Sequence, residues 1–215
     1  MVRNSRARRY LLRLQADGIA RVTIPRGGST TFARQFVERH LTWLERELQR
    51  LRTGPRRPVA WTIGTEVLLR GNLAHIEPGS DGEPKTVQLG GETVRIPDMT
   101  ADLRPAIESA LRRLAARELP NRLLELAGRH GLTVRRVTVR NQKSRWGSCS
   151  QRGTISLNWR LIQNPEFVRD YICLHELMHL RQMNHSPAFW CEVERVCPDY
   201  QTAERWLKEH PGLLR

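Results

Sequence analysis

The stretch His175-Glu176-Leu177-Met178-His179 places two imidazoles and a carboxylate where they can bind and use a divalent cation. Residues four apart on an α-helix differ by only about 40° around the axis and lie one turn apart, so His175 and His179 can reach one ion from the same face. Glu176 sits beside them. In a His-Glu-x-x-His helix the glutamate is not a ligand; it takes a proton from the attacking water. His185, six residues beyond His179, can complete a three-nitrogen set. Three protein ligands with the fourth position open is the catalytic form of a zinc site, whereas structural zinc is usually closed by four ligands, often cysteines.

A helix must present these groups. It opens at Asn164-Pro165, a capping residue followed by a proline suited to the first helical position, and is expected to run to about Gln182. Phe167, Val168, Tyr171, Ile172, Cys173, Leu174, Leu177, Met178 and Leu180 surround it with apolar side chains on nearly every side, the pattern of a buried helix. Burying a carboxylate and two imidazoles is costly unless they are paired, protonated or bound to a metal. Ser186-Pro187 opens the next helix, Pro187 to Val196, which leaves His185 in the turn, able to fold back on the motif. A last helix is expected from Tyr200 to Lys208. Trp190 is expected to back His185, and Trp206 and Leu207 to pack on the site helix.

Histidines at the first, fifth and eleventh places match metzincin spacing. Metzincins, however, have glycine where this chain has Gln182, and they need a later Met-turn, whereas the last methionine is Met183. What the segments Arg140-Asn141-Gln142-Lys143-Ser144-Arg145-Trp146-Gly147-Ser148-Cys149, Leu157-Asn158-Trp159-Arg160-Leu161 and His175 to Trp190 resemble is the YgjP-like metallopeptidase domain family, a zincin relative of the SprT and WLM groups. The resemblance implies an α+β fold with a zincin-like core, the active-site helix lying against a small sheet. It implies His175, His179 and His185 as ligands, Glu176 as general base, and a peptide or protein substrate. Three nitrogen ligands favour Zn2+, one per chain, with another divalent metal left open.

Leu132 to Val139 and Thr154 to Leu157 read as strands joined by a loop through Trp146-Gly147-Ser148. In zincin-like folds such a strand runs along the active-site helix, where its edge can hold an extended peptide. Arg145, Trp146 and Ser148 are candidates for substrate contact or for stabilising an oxyanion; Asn141 and Tyr200 are further ones. Alternatively, Trp146 covers the core and Arg145 pairs with Glu166 or Asp170.

The remaining elements divide the chain into a β-rich subdomain over 1–99 with one long helix, and a catalytic domain over 100–215. Residues 10–14 and 20–24 form a hairpin about Ala16-Asp17-Gly18. Ser29-Thr30-Thr31 starts a helix to about Leu51, and Gly54-Pro55-Arg56-Arg57-Pro58 follows it. Strands are expected at Val59 to Ile63, Glu66 to Leu69 and Thr93 to Ile96, with Leu73 to Ile76 and Thr86 to Leu89 able to pair across the turn-rich 78–84. From Ala101 a helix runs to about Ala127, kinked or split by Pro120. His40 and His75 stand alone and are left out of the site.

Cys149, Cys173, Cys191 and Cys197 lack Cys-x-x-Cys spacing and read as reduced thiols. The apolar run Tyr10-Leu11-Leu12 is too short for a signal-peptide core, and no stretch approaches the roughly 20 apolar residues of a membrane span. A cytoplasmic protein is expected. The net charge is +14 with lysine only at Lys85, Lys143 and Lys208, and the arginine excess is concentrated early, from Arg3 to Arg57. Two readings stand, contact with nucleic acid or another polyanion and a solvated basic surface. Two other activities are compatible with a metal and nearby arginines: a nucleotide phosphohydrolase, which lacks a P-loop here, and a DNA-associated protease of SprT or WLM type.

Overall fold

In the computed structural model, which describes residues 1–15, 18–53, 60–79 and 85–214, the chain divides into two compact units, Met1–Val59 and Ala60–Arg215. The first contains β1 (Val2–Arg3), β2 (Leu11–Leu14), β3 (Ala20–Ile24), α1 (Thr30–Glu38) and α2 (Leu41–Thr53). Strand β3 lies between a parallel β1 and an antiparallel β2. Val22 and Ile24 alternate inward and join Ala33 of α1 in a small core of their own. The expected hairpin is present, although Ala16 and Asp17 of its turn lie outside the described residues, as do 54–59 and 80–84.

Ser29 caps α1, its hydroxyl accepting the Phe32 N–H at 3.0 Å. The single helix expected to reach Leu51 is instead two. His40 donates its backbone N–H to the Val37 carbonyl, and its ring Nδ1 meets the Phe36 carbonyl at 2.7 Å. The acceptor that the next helical turn would use is therefore taken by a side chain, and the helix breaks.

The second unit opens with an antiparallel meander, β4 (Glu66–Leu69), β5 (Asn72–Pro78), β6 (Thr86–Leu89) and β7 (Glu92–Arg95), in that spatial order. No strand forms over 60–63, and Val59 is outside the described residues. The Trp61 N–H instead donates to the Asp102 carboxylate at 2.8 Å, tying this extended segment to the start of α3 (Arg104–Arg129). Val67, Leu69, Ile76, Val87, Leu89 and Val94 share one buried cluster with Ile107, Leu111, Leu114 and Leu119 of α3. The boundary expected between 99 and 100 thus falls inside this unit. Helix α3 runs on through Pro120, so the proline does not split it. The Asn121 side-chain amide donates to the Arg117 carbonyl at 3.0 Å, satisfying a carbonyl in the turn that the proline ring disturbs.

Next come β8 (Arg136–Arg140), β9 (Gly147–Cys149) and β10 (Thr154–Asn158), ordered β8-β10-β9, with β8 parallel and β9 antiparallel to the central strand. The segment expected as a loop is therefore partly an edge strand. A 3₁₀ turn over 159–163 leads into α4 (Glu166–Met178), and α5 (Pro187–Val196) and α6 (Tyr200–Glu209) follow. Helix α4 contacts α3, α5, α6, β9 and β10. The β4–β5 turn is pinned to its start: Arg70 and Gly71 donate to the Ile162 and Gln163 carbonyls at 2.9 Å. Gly71 is required there, with φ +86° and space for a Cβ only 2.7 Å from Pro165. The fold is α+β. Among the described residues no helix is long and apolar enough to cross a membrane.

Candidate metal centre

Helix α4 ends at Met178, short of the expected Gln182. His179 occupies the C-cap with φ −63° and ψ −18°, still right-handed, so His175 and His179 keep their one-turn spacing. Beyond it the chain turns, the Gln182 N–H donating to the Met178 carbonyl at 3.0 Å. Asn164 does not cap this helix. Pro165 takes the N-cap position, and the buried side-chain amide of Asn164 has no hydrogen-bond partner among the described residues.

The three imidazoles converge. Ligand atoms of His175, His179 and His185 all lie within 4.8 Å of one another, and Nε2 of His175 is 3.1 Å from Nε2 of His185. His179 Nδ1 faces the Gln182 carbonyl at 3.0 Å; donating there leaves its Nε2 lone pair free. Burial, reinforced by the charges of His179 and His185, pushes the His175 pKa down to about 4. Burial also lowers that of His179, opposed by its bond to Gln182. Three imidazole nitrogens gathered this closely are a donor set that a borderline-soft divalent cation takes. The residues fit such an ion.

Phe189 holds the three rings in place. Its ring centroid lies 4.9, 4.5 and 4.8 Å from those of His175, His179 and His185, and it is completely buried. Trp190, at 5.9 Å from His185, backs that ring as expected and stacks on Tyr200 at 5.5 Å. Tyr200 in turn stacks on Tyr171 at 6.2 Å.

Glu176 is buried, and its Oε2 has no hydrogen-bond partner. Burial pushes its pKa up to about 8, while the charge of Arg145 pulls it down. Arg145 therefore acts on Glu176. The carboxylates expected as its partners, Glu166 and Asp170, pair with Arg122 at 3.3 and 2.5 Å. Gly147 of β9 lies directly against Glu176: a Cβ at that position would sit 2.5 Å from Oε1 and 2.6 Å from Cγ. Any side chain there would displace the carboxylate.

The centre opens into a cleft of about 560 Å³ lined by residues of β9 and α4 and by Glu204, Leu207 and Lys208 of α6. Arg145, Trp146 and Ser148 all line it. In the β9–β10 ladder, Trp146 O accepts from Asn158 N–H at 2.8 Å and Ser150 N–H donates to Thr154 O at 3.0 Å. Alternate residues therefore turn away from β10, and the N–H and C=O groups of Gly147 and Cys149 face outward from the sheet edge.

The profile of the YgjP-like metallopeptidase domain matches residues 8–210. The chain belongs to the YgjP-like metallopeptidase family. Membership makes it a metal-dependent hydrolase of the peptidase type. Two crystal structures of metallopeptidase zymogens are similar to part of this YgjP-like chain. That of Pyrococcus abyssi abylysin is 28% identical, covering 43% of this chain and 95% of its own, with a TM-score of 0.39. That of Methanocaldococcus jannaschii jannalysin is 22% identical, covering 40% and 92%, with a TM-score of 0.33. No curated protein matches.

Other residues shape this YgjP-like centre without an obvious sequence signal. Asn158, fully buried, donates its side-chain amide to the Gln142 and Arg145 carbonyls at 2.8 and 3.0 Å. Asn141 does not line the cleft; its Oδ1 accepts from Trp159 Nε1 at 3.0 Å and Arg160 Nη1 at 2.6 Å. Together they clamp both ends of the segment that carries Arg145. Tyr200 does not line the cleft either, whereas Tyr171 does, its hydroxyl donating to Glu204 at 3.1 Å.

Proposed function

We propose that this YgjP-like protein is a zinc peptidase in which His175, His179 and His185 hold one Zn2+ and Glu176 is the general base. The observation that carries the reading is the convergence of three imidazoles beside a buried carboxylate at the floor of an open cleft. A zinc ion bound there would supply Lewis acidity, bringing the pKa of water down to about 7 and polarising the scissile carbonyl.

The chain's own residues do the rest. A substrate segment in extended conformation pairs with the outward N–H and C=O groups of Gly147 and Cys149, adding a strand to the β8-β10-β9 sheet. That pairing draws the scissile peptide across the face of α4. Glu176 takes a proton at Oε2 as water attacks the carbonyl carbon, then passes it to the nitrogen as the C–N bond breaks. Arg145 favours the ionised form of Glu176, offsetting part of the burial that would keep it protonated. Tyr171, Ile172 and Leu207 give the wall toward α6 an apolar character suited to bulky side chains.

Glu176→Gln keeps the size and burial of this side chain and removes its basicity. It is expected to lower peptide hydrolysis by roughly 10²–10⁴-fold with metal content unchanged, measured on a fluorogenic peptide mixture alongside elemental analysis. Hydrolysis at the parent rate would remove Glu176 from the base role.

A further inference from the structure

Residues 1–59 hold fourteen arginines, no lysine and four acids, so this unit carries +10 of the chain's +14 charge on little more than a quarter of its length. A general preference for arginine does not account for it. Residues 60–215 use arginine freely as well, but set eighteen acids against twenty-two cations. There the arginines enter ion pairs, such as Arg70 with Glu92 and Glu118, Arg122 with Asp170 and Arg181 with Glu192. In the amino-terminal unit all ten arginines from Arg3 to Arg46 are exposed, and no ion pair between described residues includes one. Arg13 and Arg21 stand directly opposite each other in the β2–β3 register. Like charges at opposed positions destabilise a sheet, and an anion between them removes that penalty.

Beside these cations runs an aromatic ladder. Tyr10 lies 5.0 Å from Phe32 and 6.0 Å from Phe36, and Phe36 lies 4.5 Å from His40. The Ser29 N–H donates to the Tyr10 hydroxyl at 2.8 Å, which fixes the ladder's first ring. Phe32 is 43% exposed, and the Arg39 guanidinium sits 5.3 Å from its ring centroid. That guanidinium lies over the ring on a flexible, exposed side chain, so a base can stack on the guanidinium plane, or on the ring once Arg39 swings aside, while surrounding arginines neutralise phosphates. A duplex offers phosphates but hides its base faces.

We infer that the amino-terminal unit binds single-stranded nucleic acid through its unpaired arginines and the exposed ring of Phe32. The ligands of the metal centre all lie in the other unit.

The test is fluorescence anisotropy of the full chain with a labelled oligothymidine of about 15 nucleotides, a duplex of equal length, and a sulfated polysaccharide as competitor, in chelator-containing buffer from about 50 to 200 mM salt. The expected result is tighter binding of the single strand, with log affinity falling linearly against log salt. Phe32→Ala weakens binding by about tenfold and leaves the salt slope unchanged. The double variant Arg13→Gln/Arg21→Gln flattens the slope by about 1.4, roughly 0.7 for each phosphate that is no longer neutralised, and melts no lower than the parent because the repulsion is gone. That variant keeps the inference testable if Phe32→Ala fails to fold. Absence of binding at the lowest salt, duplex bound more tightly than single strand, displacement by the polysaccharide with no effect of Phe32→Ala, or an unchanged slope in the arginine variant would each overturn it.

Discussion

At the scale of single residues, two contacts decide whether the centre can work. Gly147 leaves room for the Glu176 carboxylate, since a Cβ there would approach Oε1 to 2.5 Å. Gly147→Ala is therefore expected to lower turnover on the order of 10²-fold through misplacement of the base, while bound metal stays at the parent level; unchanged turnover would show that Glu176 has slack. Phe189 touches all three imidazoles and is fully buried. Phe189→Ala should cost about 3–5 kcal/mol of stability in a denaturant melt and weaken metal binding as the rings lose their support. The histidines and Glu176 were legible in the sequence because their relation is local, one helical turn. The roles of Gly147 and Asn158 were not. Both come from contacts with residues distant in the chain, and a glycine between Trp146 and Ser148 reads equally well as an ordinary turn.

Among the elements, amphipathic segments were legible wherever their periodicity was long. The meander strands, α3, α5 and α6 all lie where alternating or helical patterns place them. Short elements and interruptions were not. Strand β9 has only three residues and no period to detect, and the break at His40 depends on which donor wins one carbonyl. Nor does Pro120 split its helix, which continues through it. The start of α3 carries a testable electrostatic device. The Asp102 carboxylate accepts the Trp61 and Arg104 N–H groups, and these bonds, led by Trp61, hold its pKa below the ordinary 3.8. A carboxyl whose folded pKa is depressed stabilises the fold above its unfolded value, and that stabilisation disappears as pH falls through the folded one. Asp102→Ala should therefore melt below the parent near neutral pH, with the gap narrowing as pH drops below 3.8. A gap that stays constant into the acid range would assign the loss to packing instead.

For the molecule as a whole, the clustered histidines and the arginine excess fall in different units. The buried cluster of the second unit joins the four-stranded sheet, α3 and α4 in one core, so the meander belongs with the catalytic elements and not with the hairpin that precedes it. Composition alone could not reveal this, because the sheet's alternation reads the same whichever neighbour covers it. The charge asymmetry was legible as a run of early arginines; that the ten from Arg3 to Arg46 are exposed and form no ion pair with a described residue required the coordinates. The central claim concerns the metal. It is tested most directly by elemental analysis of the purified full chain, offered zinc and then freed of excess, beside the variants His175→Ala, His179→Ala and His185→Ala. Near one zinc per chain in the parent and its loss in each variant is the expected result. A parent that remains metal-free, or a histidine variant that keeps a full equivalent, would contradict the three-histidine centre.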